Sequence, residues 1–144
     1  MSTLTATEVT LDNLMGQAAQ LRQQGHRLVT LTCVHTGNGH DILYHFDKHY
    51  QMAHFRLHLA EGTTLPSICS LYPAAMIVEN EIKDHFGIAV SGLSIDFQGR
   101  LVLTEDAPRA PMNKRCGMDI DARIPAAAPV TTPTAAPAVK GGAA

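Results

Sequence analysis

The chain has 144 residues, a formal net charge of −2, a pI near 6.4 and no Trp. One domain is the expectation for that length, and the charge and aromatic content offer neither a basic footprint for nucleic acid nor a stacking platform for single strands. No apolar run approaches the roughly 20 residues of a membrane-spanning helix, and three scattered cysteines, Cys33, Cys69 and Cys116, make neither a disulfide framework nor a zinc ribbon.

The opening MSTLTATEVTLDNL has no basic n-region and no apolar h-region, so no secretory signal is expected and a reducing cytoplasm fits. Leu11, Leu14, Ala18 and Leu21 predict an amphipathic helix over Leu11–Gln24, with Thr10 or Asp12 as cap and Gly25 as stop. Three strands follow. In Leu28–Val34 the residues Val29, Leu31 and Cys33 alternate with Thr30 and Thr32. Thr36–Gly39, T-G-N-G, is a hairpin signal because Asn and Gly tolerate positive φ. Asp41–Phe46 places Ile42, Tyr44 and Phe46 on one face. Met52–Ala60 places Ala53, Phe55, Leu57 and Leu59 against His54, Arg56 and His58. The fold class is α+β: an N-terminal helix packed on a small antiparallel sheet, then a second helix and an extended C-terminal arm.

Leu65–Leu71 reads as a further strand. A helix then starts at Pro73, where the missing N–H needs no partner, and stops at Gly87. Ile88–Val90 is a short extended piece. Ser91–Pro111 reads as an irregular arm with a brief Arg100–Leu103 strand, and an excursion of that length is expected to lie on a partner. The Pro/Ala/Thr-rich stretch Pro125–Ala144 lacks the large apolar side chains that offset ordering entropy. The domain is therefore drawn at 1–116, with the arm from about 91, and 117–144 as a tail expected to be disordered.

The stretch Leu71–Gly87, LYPAAMIVENEIKDHFG, contains an anomaly. At about 3.6 residues per turn, Ala75, Val78, Ile82 and Phe86 form one apolar stripe, and Glu79 falls inside it. A carboxylate there needs a partner from elsewhere in the chain or from another chain. Glu79 and Asp84 are roughly 140° apart around the helix and do not converge on one substrate. Glu79–Lys83 and Glu81–His85 have the spacing of ordinary intrahelical pairs. Ile77, Asn80, Glu81 and Asp84 are the surface expected to face a neighbour.

Of the eight histidines, His54 and His58 share a strand face with Arg56 between them. A cation there opposes metal binding, and zinc wants three or four ligands. His26, His35, His40, His45 and His49 read as exposed residues of turns and strand ends. Cys33 reads as a small core residue, and three thiols do not make an iron–sulfur site. Catalytic, cofactor-binding and metal-ligating residues are therefore expected to be absent, and the domain reads as a docking subunit. A freestanding histidine-rich metal-binding module is the alternative of another class.

The segment LYPAAMIVENEIKDHFGI resembles the signature of the C subunit of respiratory NADH:quinone oxidoreductase, complex I, which has the form E-R-E-x-x-D-x-F-G-I. The matching residues are Glu79, Glu81, Asp84, Phe86, Gly87 and Ile88, with Asn80 in place of Arg. The family continues with G-H-P and an Arg-rich stretch; this chain has Gly92-Leu93-Ser94 and Gly99-Arg100-Leu101, and P-L-R-K-D becomes Pro111-Met112-Asn113-Lys114-Arg115. The resemblance spans roughly residues 10–116. The short length and missing arginines point to the form found in ferredoxin-linked, energy-converting membrane-bound [NiFe] hydrogenases; a NADH:quinone oxidoreductase or formate hydrogenlyase is the alternative. The resemblance implies a non-catalytic scaffold subunit, peripheral on the cytoplasmic face of the inner membrane, in a complex that couples electron transfer to ion translocation. Its partners would be a [NiFe] large-subunit-like protein, an iron–sulfur small subunit and membrane subunits, and those partners would hold the [NiFe] centre and clusters. Interface residues would be Ile77, Glu79, Asn80, Glu81, Asp84, Arg100, Lys114 and Arg115, with Glu79 meeting a cation or amide of a neighbour.

Overall fold

Alternating apolar side chains build a four-stranded sheet that buries one face. In the computed structural model, which describes residues 5–113, the elements are β1 (Thr7–Val9), α1 (Leu11–Gln23), β2 (Arg27–His35), β3 (Gly39–Lys48), β4 (Gln51–Ala60), β5 (Leu65–Pro66), α2 (Ala75–Phe86) and β6 (Val90–Ser91). Lys114, Arg115, Cys116 and the expected tail lie outside the described residues.

The sheet order is β1-β4-β3-β2. The β2–β3 pair is antiparallel, as the T-G-N-G hairpin signal predicts, the β3–β4 pair is antiparallel too, and β1 adds a parallel edge to β4. Because β1 and β2 occupy opposite edges, α1 must cross the whole sheet, and its Leu14 and Ala18 are fully buried. Thr10 caps α1, its backbone N–H donating to Asn13 Oδ1 at 2.8 Å. Ile42, Tyr44 and Phe46 share one core with Leu14 and Ala18 of α1 and with Ala75 and Ile82 of α2. Both helices therefore cover the same face, and the opposite face carries the polar residues of β3 and β4.

Three expectations are corrected. Val29 is 49% exposed. Leu28 pairs with Phe46 while Thr30 pairs with His45, so Val29 is the extra residue of a bulge that shifts the alternation by one. His40 is buried and His45 lies in the middle of β3, so neither is a surface turn residue. Leu65–Leu71 supplies only the two-residue strand β5, paired in parallel with β6. That pair brackets α2, and the rest of the segment turns back to feed the helix.

Gly39 starts β3 where the backbone of β4 comes closest. A Cβ there would collide with the Leu59 carbonyl oxygen. Gly39→Ala is expected to lower stability by roughly 1–3 kcal/mol, the usual range for overpacking. Urea unfolding checks this, with Gly16→Ala inside α1, where a Cβ meets open space and Ala is the better helix former, as the comparison expected to lose no stability.

Candidate functional site

The helix α2 ends where Gly87 adopts φ 71° and donates its N–H to the Lys83 carbonyl at 2.9 Å. Within it Glu79 is fully buried. The backbone N–H of Ile68 donates to Glu79 Oε1 at 2.9 Å, and the Ser67 hydroxyl donates to Oε2. Ser67 Oγ in turn accepts the N–H of Cys69 at 3.1 Å. The partner that the apolar stripe demands is therefore the chain's own 67–69 loop, not a neighbouring subunit. Burial pushes the Glu79 carboxyl above its ordinary value of 4.5, and the Ser67 and Ile68 hydrogen bonds pull it partly back. The buried Tyr44 phenol is also pushed up, by burial first and then by the Glu79 charge, and its hydroxyl has no hydrogen-bond partner.

The next turn of α2 fastens the arm. Asn80 is fully buried. Its Nδ2 donates to the Met76 carbonyl at 2.8 Å and the Ile95 carbonyl at 2.9 Å, and its Oδ1 accepts the Phe97 N–H at 3.0 Å. Asp84 Oδ2 accepts the Val102 N–H at 2.8 Å. Lys83 reaches Asp96 at 2.6 Å, not Glu79 as its spacing suggests. The Lys83 and Gln98 hydrogen bonds hold the Asp96 carboxyl below its ordinary value. Past the helix end, the Met112 N–H donates to the His85 carbonyl at 2.9 Å.

The arm thus lies along its own helix, and the expected neighbour-facing surface is halved. Asn80 and Asp84 are covered by the chain's own backbone, while Ile77 is 42% exposed and Glu81 half-buried. Arg100 lies in irregular backbone rather than a strand and pairs with the exposed Glu105 at 2.6 Å. Ile95, Val102 and Met112 are exposed beside the residues that hold them to the helix. With Ile77 they set an apolar series along the α2–arm seam.

The two buried carboxylates of α2 hold different segments, Glu79 the 67–68 loop and Asp84 the arm. Burial, aided by Asp41, pushes the Cys33 thiol up to about 12, and Cys69 Sγ donates to the Gly92 carbonyl at 3.3 Å. Neither thiol is poised as a nucleophile. A cavity of about 220 Å³ lies between the end of β4 and the end of α2, lined by residues that include His40, Leu59, Phe86 and Asn113. That is below the roughly 300–1,000 Å³ of small-molecule sites. On the sheet face, pairing supplies the carboxylate that sequence spacing hides: Asp41 of β3 accepts from Arg56 at 3.0 Å and lies 2.8 Å from His58 Nδ1. Among the described residues, no group of three or more His, Cys, Asp or Glu converges on a metal position.

A family model for the respiratory-chain NADH dehydrogenase 30 kDa subunit matches residues 7–121. The chain belongs to this family. The NADH-quinone oxidoreductase C subunit of Roseobacter denitrificans is 33% identical over 94 residues, covering 59% of this chain and 47% of that protein. The corresponding C subunit of a Jannaschia species is 44% identical over 54 residues, covering 36% of this chain and 26% of that protein. The chain therefore spans about half or less of the curated relatives it matches.

Two solved structures share the fold. A chain of the membrane-bound sulfane sulfur reductase, an archaeal respiratory membrane complex, superposes with a TM-score of 0.60 at 16% identity, covering 78% of this chain and 71% of that one. The trypsin-resistant fragment of Nqo5 superposes with a TM-score of 0.55 at 18% identity, covering 61% and 79%. Among the described residues, no helix is long and apolar enough to cross a membrane. In this member of the 30 kDa family the acidic helix signature is thus an internal fastener: Glu79 ties down a loop, and Asn80 and Asp84 tie down the arm.

Proposed function

We propose that this chain is a non-catalytic scaffold subunit of the peripheral, cytoplasmic arm of a membrane-bound oxidoreductase, specifically a ferredoxin-linked, energy-converting [NiFe] hydrogenase. The observation that carries the scaffold reading is the use of the signature helix: its buried carboxylates hold loop and arm, and so they organise a surface rather than a reaction. Departure from the family pattern favours the hydrogenase form. Asn80 stands where the respiratory signature has Arg and makes three hydrogen bonds within the chain. The [NiFe] centre and the iron–sulfur clusters belong to the partner subunits on this reading. The exposed Ile77, Ile95, Val102 and Met112, with Glu81 and Arg100, are the surface offered to them.

A second reading, the C subunit of a NADH:quinone oxidoreductase, is favoured by the names of the two curated relatives. Affinity capture of the tagged chain from its native membranes separates the two. Co-purification of a [NiFe] large-subunit-like protein, an iron–sulfur small subunit and membrane subunits, with hydrogen evolution, is the expected result. NADH-driven quinone reduction without hydrogen evolution supports the second reading. Formate-dependent hydrogen evolution assigns the complex as a formate hydrogenlyase. Recovery of a lone monomer overturns all three.

A further inference from the structure

On the sheet face away from both helices, His45 of β3 sits directly opposite His54 of β4. Their Nδ1 atoms are 2.8 Å apart, and the rings meet edge to face at 76°. A hydrogen bond between two imidazole nitrogens needs one N–H and one bare lone pair. The pair therefore holds a single shared proton between two convergent ligand atoms. On the far side of His45, Nε2 lies 3.0 Å from Thr32 Oγ1. That contact keeps Nδ1 aimed at His54, and the second nitrogen of a metal-bound imidazole is commonly fixed in this way. Two nitrogens bound to one ion at about 2.0–2.1 Å in tetrahedral geometry stand roughly 3.3 Å apart. The observed separation of 2.8 Å needs to open by about half an ångström.

We infer that His45 and His54 form a two-imidazole chelating site for a borderline divalent cation, Cu²⁺ or Zn²⁺, which sits off the line between the two nitrogens and displaces their shared proton to solvent. Water fills the remaining coordination positions, because no third His, Cys, Asp or Glu among the described residues converges there. The cation nearest along β4, Arg56, is drawn away: it pairs with Asp41 at 3.0 Å and with Glu8 at 3.9 Å. On β3, Asp47 is paired with Arg27 at 2.9 Å and is not a competing ligand. The general order of divalent affinities ranks Cu²⁺ above Zn²⁺ for such a nitrogen pair. The site stands on the sheet face alone and is independent of the complex in which the chain assembles.

The untagged full chain, titrated with Cu²⁺ alone and Zn²⁺ alone at neutral pH by calorimetry, tests this. One ion per chain is expected, with Cu²⁺ bound more tightly and with coupling to two nitrogens in the Cu²⁺ paramagnetic resonance spectrum. His45→Asn and His54→Asn each remove half of the protein ligands and are expected to weaken binding by roughly tenfold or more. His58→Asn, on the same strand face but paired to a carboxylate, is expected to leave binding unchanged. Equal weakening by all three variants marks adventitious surface binding and overturns the assignment. So does the absence of stoichiometric binding by the native chain.

Discussion

Glu79→Ala is expected to cost the folded chain roughly 2–4 kcal/mol. It leaves the Ile68 N–H and the Ser67 hydroxyl without their acceptor in a buried setting, and it opens a cavity that the surrounding core fills only in part. Urea unfolding of the isolated chain measures this. Glu81→Ala, on the half-buried side of the same helix, is expected to stay within about 0.5 kcal/mol. Equal effects on stability and on complex yield would sink the placement of Glu79 at the centre of the fold. Glu79→Gln separates shape from charge. Its amide still accepts from Ile68 and donates to Ser67, so stability is expected to be largely retained.

The same pair of proteins reports on charge through pH. Burial raises the folded-state carboxyl of Glu79 above its ordinary value of 4.5. Below that value Glu79 is protonated whether the chain is folded or not. As pH rises from it, the unfolded chain releases the proton first while the fold retains it. The Glu79 contribution is therefore fully present at acid pH and is lost as pH climbs through the raised folded value. Relative to Glu79→Gln, the native chain is expected to lose stability across that window. Parallel stability–pH profiles for the two proteins would remove the buried-carboxyl reading.

Asn80→Ala is expected to release the arm while leaving the sheet intact. It removes both backbone tethers at Ile95 and Phe97, together with the Met76 bond within the helix. Each typical hydrogen bond contributes about 0.5–1.5 kcal/mol. Faster amide exchange over residues 95–112, with unchanged protection of β3 and β4, is the expected signature. Lys83→Ala removes only the partly exposed ion pair with Asp96, for which roughly 0–1 kcal/mol is usual. If Asn80→Ala leaves exchange in the arm unchanged, α2 is not the element that holds it.

These two residues show where sequence reasoning reaches and where it stops. The 3.6-residue stripe exposes Glu79 as a carboxylate needing a partner, because periodicity reports which side of a helix is buried. The identity of that partner is a tertiary fact: Ser67 and Ile68 are 12 and 11 residues away, beyond any helical spacing rule. Asn80 sits on the side that periodicity assigns to solvent, and only the returning arm buries it. The turn at His49 and Tyr50, with φ of 52° and 65°, likewise has no Gly or Asn to announce it. Val29 is misjudged by alternation because a bulge inserts one residue without any local mark.

Local sequence was enough for the α+β class, the three long strands, the inward faces of β3 and β4, and both helices. All of these follow from periodicity and from residue types at fixed spacing. The parallel edge strand, the covering of Asn80 and Asp84, the intramolecular partner of Glu79 and the meeting of His45 with His54 emerge only in the folded chain. Each of those depends on which distant segments come into register, and strand pairing and the path of an irregular arm leave no periodic trace in the residues that take part.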